Sequence, residues 1–336
     1  MADMENTTAR LQESESTSGI FKYMDASVQP SLYRNGKVFT RRDQDGSDAG
    51  WQGVSFVEQR MPVHNARVLQ HENRCTLVAN GFELLERPVS VAAINFLDHT
   101  DVVKHYYPQC AEIVREVTGR HAFAFDHNVR SASGKTSQRR ISGGQQVQGP
   151  AHVVHGDYTL TSAPQRLRDL TKPPGKNDTV RSVLNEGQSL IAPEMAERAL
   201  GTRGRFAIIN VWRNIAKEPV ATHPLGLCDA HSVQPEDLVV FEIHYQDRIG
   251  ENYFARHSSR HQWYYYPGIT SNEALLIKQW DSEGNLARTM GRESDAGDQE
   301  GVPCTFSFHS AFEDPATPVD APDRWSIEVR CMVVYD

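Results

Sequence analysis

Two histidines and an aspartate carry the chemistry this sequence can offer. His155-Gly156-Asp157 lies mid-chain, His309 lies near the end, and Arg324-Trp325-Ser326 begins 15 positions later (324 − 309 = 15). Two imidazoles and one carboxylate form the ligand set of a non-haem Fe(II) that keeps one octahedral face open. His155 and Asp157 are two apart, so on an extended strand both side chains leave the same face. His309 must bring the third ligand from elsewhere in the sheet. An arginine one strand beyond it can grip the distal carboxylate of 2-oxoglutarate through a bidentate fork, with the Ser326 hydroxyl alongside. In this order and spacing the fragments point to Fe(II)/2-oxoglutarate oxygenase chemistry. 2-Oxoglutarate takes two of the open positions and O₂ the third. Decarboxylation to succinate and CO₂ then drives oxidation of an unactivated C–H bond on a small molecule. Hydroxylation, desaturation and oxidative cyclisation are all outcomes of that chemistry.

Other uses of the same residue types find less support. Asp229 and His231 form a second Asp-x-His, but Cys228-Asp-Ala-His-Ser reads as a turn before Pro235-Glu-Asp237. His152, three before His155, points to the opposite face of a strand and reads as structural. There is no Gly-x-Ser-x-Gly elbow, no Gly-x-Gly-x-x-Gly after a strand and no phosphate-binding loop. Two competing readings stay open: a non-catalytic cupin-like partner subunit with a vestigial site, and a 2-oxoglutarate-independent cupin dioxygenase. The second usually lacks the co-substrate arginine.

Further contacts are expected around this centre. Asn128 and Arg130 precede the metal fragment by about one strand, with Arg130 a second cation for the co-substrate and Asn128 a substrate contact. Asn210, Trp212 and Arg213 form a polar-aromatic end to an apolar strand and are candidate substrate contacts. Phe206, Ile208, Asn210 and Trp212 share one face, and Arg213 points the other way. A carboxylate-bearing substrate would give Arg130 or Arg213 a use.

The elements that position these residues are mainly strands. Phe206–Trp212, Leu238–Tyr245, Trp263–Tyr266, Ala274–Trp280, Thr305–Phe308 and Ser326–Tyr335 are rich in β-branched and aromatic residues. Ala122–Phe125 and 151–159 read as earlier strands, with a loop over 131–148 between them. Helical spacing predicts insertions near 100–118 and 179–200, each stopped by a glycine (Gly119, Gly201). Pairing of the Thr305–Phe308 and Ser326–Tyr335 strands as antiparallel neighbours would return Arg324 beside His309. The pattern suits a mainly β fold with flanking helices, a double-stranded β-helix of the jelly-roll, cupin-like kind. Residues 1–20 are acidic and polar and read as a disordered segment. One jelly-roll domain is expected over 21–336.

Composition narrows the partners. The 336-residue chain is 39% hydrophobic, so a sizeable core is available. Its net charge of −8 and the lack of a Lys/Arg run argue against nucleic acid or a membrane surface. The amino-terminal stretch has no apolar core of the secretory kind. Five scattered cysteines without a CxxC pair suit reduced thiols in a cytoplasmic protein. A small-molecule substrate is the expected partner, and a homodimer is the assembly left open.

Eight blocks in order carry a family resemblance. They are Phe123-x-x-Asp126-His-Asn-Val-Arg130, His155-Gly-Asp-Tyr158, Phe206 to Ile215, Pro224 to Asp229, His261-x-Trp-Tyr-Tyr-Tyr-Pro267, Glu273 to Ser282, His309 to Pro315 and Arg324-x-Ser-Ile-Glu-Val-Arg330. From about residue 54 to the end the chain resembles the cephem-methoxylase-small-chain-like and gibberellin-desaturase-like oxygenases of fungi. The resemblance implies a jelly-roll Fe(II)/2-oxoglutarate hydroxylase or desaturase of fungal secondary metabolism. It leaves the substrate open, because members act on chemically diverse molecules. Trp325 departs from the pattern at a position often acidic in relatives, which bears on pocket shape and leaves Arg324 and Ser326 intact.

Overall fold

Alternating and continuous apolar runs build two sheets in the computed structural model. It describes residues 14–42, 50–89, 94–176, 178–246, 248–296, 301–315 and 317–335. In chain order the strands are β1 (Ser16–Met24), β2 (Phe39–Arg41), β3 (Phe56–Asn65), β4 (Phe82–Glu86), β5 (His121–Arg130), β6 (His155–Gly156) and β7 (Arg205–Asn214). They continue as β8 (Leu225–Cys228), β9 (Leu238–His244), β10 (Ile249–Ala255), β11 (Trp263–Tyr265), β12 (Glu273–Asp281), β13 (His309–Ala311) and β14 (Ser326–Tyr335). One sheet has nine strands in the order β1-β3-β11-β8-β13-β6-β10-β9-β2, and the other has five in the order β4-β12-β7-β14-β5. Together they form the jelly roll expected from the sequence.

The five-stranded sheet is buried on both faces, and β14 shows why its sequence is nearly all apolar yet charged at two points. Ile327, Val329, Cys331 and Val333 share one face. Cys331 meets Cys110 of the helix Tyr107–Thr118, which packs across β5, β7 and β14. Ser326, Glu328 and Arg330 share the other face. Register sets them in rows: Arg130–Ser326–Asn214, Asn128–Glu328–Trp212 and Asp126–Arg330–Asn210 across β5, β14 and β7. That polar patch is the wall that faces the two histidines.

The helical insertion near 100–118 forms as expected. His99–Asp101 passes through a π-turn at Val102–Tyr106 into the helix Tyr107–Thr118, with Asp98 capping the start and Gly119 left-handed at the end. The expectation for 179–200 holds only at its ends, Thr179–Ser182 and Pro193–Leu200. Gly187 sits at φ +80° between them, which ends any continuous helix, and Pro193 starts the second one.

Three strand boundaries also differ. Ser16–Ile20, expected to be disordered, belongs to β1, where backbone pairing with β3 needs no apolar side chains and the buried Phe21 and Tyr23 anchor the strand. Residues 1–13 of that expectation lie outside the described residues. The strand expected over 151–159 is only His155–Gly156, because the next amides leave the ladder: Asp157 N–H donates to Gln279 Oε1 (3.1 Å) and Thr159 N–H to Ser162 Oγ (2.9 Å). Residues 305–308 are not a strand either. Thr305 N–H donates to Asp295 Oδ2 (2.7 Å) and Ser307 N–H to Lys278 O (3.0 Å), so pairing begins at His309. The loop expected over 131–148 includes one short helix, Ala132–Thr136, capped by Ser131.

Candidate metal centre and co-substrate pocket

β6 and β13 are antiparallel neighbours with His155 opposite His309. Their rings lie 4.4 Å apart between centroids. Asp157 follows β6 immediately. One ligand atom from each of the three lies within 4.8 Å of the others, and all three side chains are buried. Among the described residues this is the one His/Cys/Asp/Glu group with such geometry. Gly156 separates the first two because Phe306 packs on it: a Cβ there would come within 3.1 Å of the ring.

His155 and Asp157 are each left with one usable atom. His155 Nδ1 lies 2.7 Å from Val153 O, which leaves Nε2 facing Asp157 Oδ1 at 3.7 Å. Asp157 Oδ2 accepts from Arg330 Nε (3.0 Å) and Asn210 Nδ2 (3.1 Å), so Oδ1 is the free oxygen. Both nitrogens of His309 are buried without a partner. Buried imidazole nitrogens are costly when unsatisfied, and a cation beside them removes that cost. Burial, with the neighbouring His309, lowers the His155 pKa to about 4. Burial lowers His309 as well, so both imidazoles are neutral and able to donate lone pairs. Burial alone would raise the Asp157 carboxyl, but the Arg330 guanidinium, the two imidazoles and the Asn210 amide together outweigh it and hold Asp157 well below the usual carboxylate range. A buried N,N,O donor set with two orphaned imidazole nitrogens fits Fe(II).

A small pocket opens on this centre, lined by both histidines together with Arg130, Trp212, Arg324 and Glu328. Arg324 is 2% exposed. Its N–H donates to Thr222 Oγ1 (3.0 Å), its Nη1 donates to the His223 carbonyl, and its guanidinium lies 5.7 Å over the Trp212 ring. Its Nε and the Ser326 Oγ have no partner. Burial, with Arg130 beside it, pulls the guanidinium down to about 10, still cationic at neutral pH. The expected pairing of β13 with β14 does not occur: the edges of β14 are filled by β5 and β7. Arg324 faces His309 across the gap between the sheets instead.

Several expected contacts have other partners. Asn210 Nδ2 donates to Asp157 Oδ2 while its Oδ1 is unpartnered, and Asn128 Nδ2 donates to Glu328 Oε1 (3.3 Å). Arg213 lies outside the pocket, as its strand parity requires. Its Nε donates to Tyr106 OH (2.8 Å) and its Nη1 to Ser271 O (2.6 Å). Trp212 does line the pocket. Arg130 also lines it, but its guanidinium reaches Glu328 Oε1 (3.3 Å) and Gly149 O (3.1 Å). The alternative pair is separate from the centre: Asp229 Oδ1 lies 3.0 Å from His231 Nδ1, and Asp229 Oδ2 accepts from Asn80.

Two residues, Glu328 and Gln279, escaped the reading of the sequence. Glu328 gathers Asn128, Arg130 and Arg330, and Arg330 in turn also holds Asp126 (3.0 Å) and Asp157. The signal was present as Ser326-x-Glu328-x-Arg330, three polar residues on one face of an otherwise apolar strand. Gln279 left no such trace. It is the extra residue at a bulge where β12 shifts register against β7, and that bulge turns its amide toward the Asp157 backbone.

A family model described as an oxidoreductase/YMDC permease-like domain matches residues 22–334. The chain belongs to that family. The Fe(II)/2-oxoglutarate-dependent dioxygenase nvfI of Aspergillus novofumigatus is 28% identical over 94% of both chains. An uncharacterized protein in the dcmA 3′ region of Methylophilus leisingeri is 46% identical over 57% of this chain and 88% of its own length. Among solved structures, the iron and alpha-ketoglutarate-dependent endoperoxidase NvfI superimposes with a TM-score of 0.69 at 23% identity, covering 95% of this chain and 98% of that one. The chain is thus an Fe(II)/2-oxoglutarate-dependent dioxygenase with a jelly-roll fold, and Fe(II), 2-oxoglutarate and O₂ are its reagents. Despite the permease-like description, no helix among the described residues is long and apolar enough to cross a membrane.

Proposed function

We propose that His155 Nε2, Asp157 Oδ1 and His309 hold the Fe(II), that Arg324 and Ser326 hold the distal carboxylate of 2-oxoglutarate, and that a small-molecule C–H bond is oxidised beside them. One observation carries this reading. In the pocket wall, two nitrogens of the His309 imidazole and the Arg324 Nε are buried and unpartnered, next to a carboxylate with one free oxygen, and Ser326 Oγ, two residues from Arg324, is also unpartnered. Fe(II) bound there supplies the activation of O₂ that C–H cleavage needs. The protein's own residues orient and insulate. Val153 fixes the His155 tautomer, Arg330 and Asn210 fix the Asp157 rotamer, and Trp212 backs the guanidinium of Arg324. Arg130 is the remaining cation on the pocket wall and the residue we assign to a carboxylate on the substrate, if it exchanges Glu328 for that ligand. Hydroxylation or desaturation in secondary metabolism, within a single domain over 21–336, is the role we infer. Five free, buried cysteines favour a reducing compartment such as the cytoplasm.

Arg324→Ala tests the assignment. It should raise the KM for 2-oxoglutarate roughly 30- to 100-fold, the loss of a charge-assisted contact of about 2–3 kcal/mol. Iron content should stay near stoichiometric. An unchanged KM would move the carboxylate to another base, with Arg130 the candidate, since Arg330 is committed to Asp157.

A further inference from the structure

We infer that Thr222 and His223 form a backbone clamp that sets the position of the co-substrate arginine, and so the length of 2-oxo acid the pocket accepts. The inference rests on the reading of Arg324 as the carboxylate anchor. Among the described residues, only three other than glycine have positive φ, and His223 is one, at +46°. Such a conformation is disfavoured for a residue with a Cβ and persists where the surroundings impose it. Here it turns the His223 carbonyl onto Arg324 Nη1. The residue before it completes the grip. Thr222 Oγ1 accepts from the Arg324 backbone N–H (3.0 Å) and donates to Pro322 O (3.0 Å), tying both sides of the approach to β14.

His223 bonds Arg324 through its carbonyl rather than its imidazole. It packs edge-on against His152, with centroids 5.0 Å apart, and its Nδ1 has no partner. The part of His223 that acts on Arg324 is its backbone. The clamp occupies Nη1 and leaves Nε without a partner, as is the nearby Ser326 Oγ. A guanidinium held from behind by a carbonyl and from one face by Trp212 cannot follow a longer or shorter ligand. The distance from Arg324 to the histidine pair therefore selects one chain length of dicarboxylate.

The test uses the full-length protein loaded with Mn(II), with calorimetry of 2-oxoglutarate and of 2-oxoadipate. Val strongly disfavours positive φ, while Asn and Gly tolerate it. His223→Val should weaken 2-oxoglutarate roughly tenfold, whereas His223→Asn and His223→Gly stay within about threefold of the parent. Thr222→Val should weaken it, and Thr222→Ser should restore it. In both valine variants the preference for 2-oxoglutarate over 2-oxoadipate should shrink, with Mn(II) affinity unchanged. If His223→Asn and His223→Gly weaken binding as much as His223→Val, the imidazole and not the backbone is responsible, and the inference fails. If His223→Val does not fold, the Thr222 pair decides: equal affinities in Thr222→Val and the parent overturn the clamp. Unchanged affinity in Arg324→Ala would instead overturn the reading of Arg324 itself.

Discussion

Asp157 has two oxygens with different surroundings, and that asymmetry defines the centre. Oδ2 is saturated by Arg330 and Asn210, while Oδ1 faces His155. The charge of Arg330 keeps the group ionised in a buried site, and the two bonds together stop the carboxylate from rotating to present both oxygens. In the proposed centre Asn210 Nδ2 acts on the metal through Asp157, a role beside the substrate contact expected of it. Asn210→Ala should weaken Fe(II) affinity about tenfold, the usual scale for loss of a partner behind a ligand. Metal titration of the apoprotein measures it. Unchanged metal affinity with a raised substrate KM would return Asn210 to the role its strand position first suggested.

At the scale of elements, the long strands were legible and the short ones were not. Ser326–Tyr335 matches expectation residue for residue, because a strand buried on both faces writes itself as a continuous run. β6 and β13, which carry the ligands, have two and three residues, and their ends are set by side-chain acceptors distant in sequence. No local pattern encodes that. The three residues that the structure brings together, His155, Asp157 and His309, could be read from residue type and order, whereas Glu328 and Gln279 depended on register and a bulge. The contact of the Tyr107–Thr118 helix with β5 adds a pH dependence. His127 on β5 is buried 2.8 Å from the Tyr107 hydroxyl, and burial, with His99 and Arg330 nearby, lowers its pKa to about 3. The folded protein refuses a proton that the unfolded chain takes up near pH 6.5. Its contribution is therefore complete above about pH 6.5 and is lost as pH falls toward 3, at about 1.4 kcal/mol per unit. Between pH 6.5 and 5 this amounts to roughly 2 kcal/mol. His127→Gln should cost stability at pH 7 but shrink the loss on going to pH 5 by about that amount. Urea midpoints at the two pH values measure it, and an equal pH dependence in both proteins would remove His127 from the account.

For the whole molecule, connectivity argues for one cooperative unit. β5 near residue 125 pairs with β14 near residue 330, β4 pairs with β12, and β1 pairs with β3, which also adjoins β11. A cut anywhere between β5 and β14 leaves the five-stranded sheet incomplete on both sides. The proposed metal ligands span the same interval, from His155 to His309. We therefore expect a single unfolding transition, with near-UV and far-UV circular dichroism changing together. A divalent ion that binds only the folded state should raise that one transition by RT ln(1 + [M]/Kd), about 2.7 kcal/mol at a hundred times Kd. Mn(II) serves as the probe because it matches the ligand set without turnover in air. His309→Ala removes a ligand from β13 and should abolish the shift while keeping the single transition. Two separate transitions, or a metal effect on only part of the signal, would show that the jelly roll divides into independent units and that the 21–336 domain is wrongly drawn.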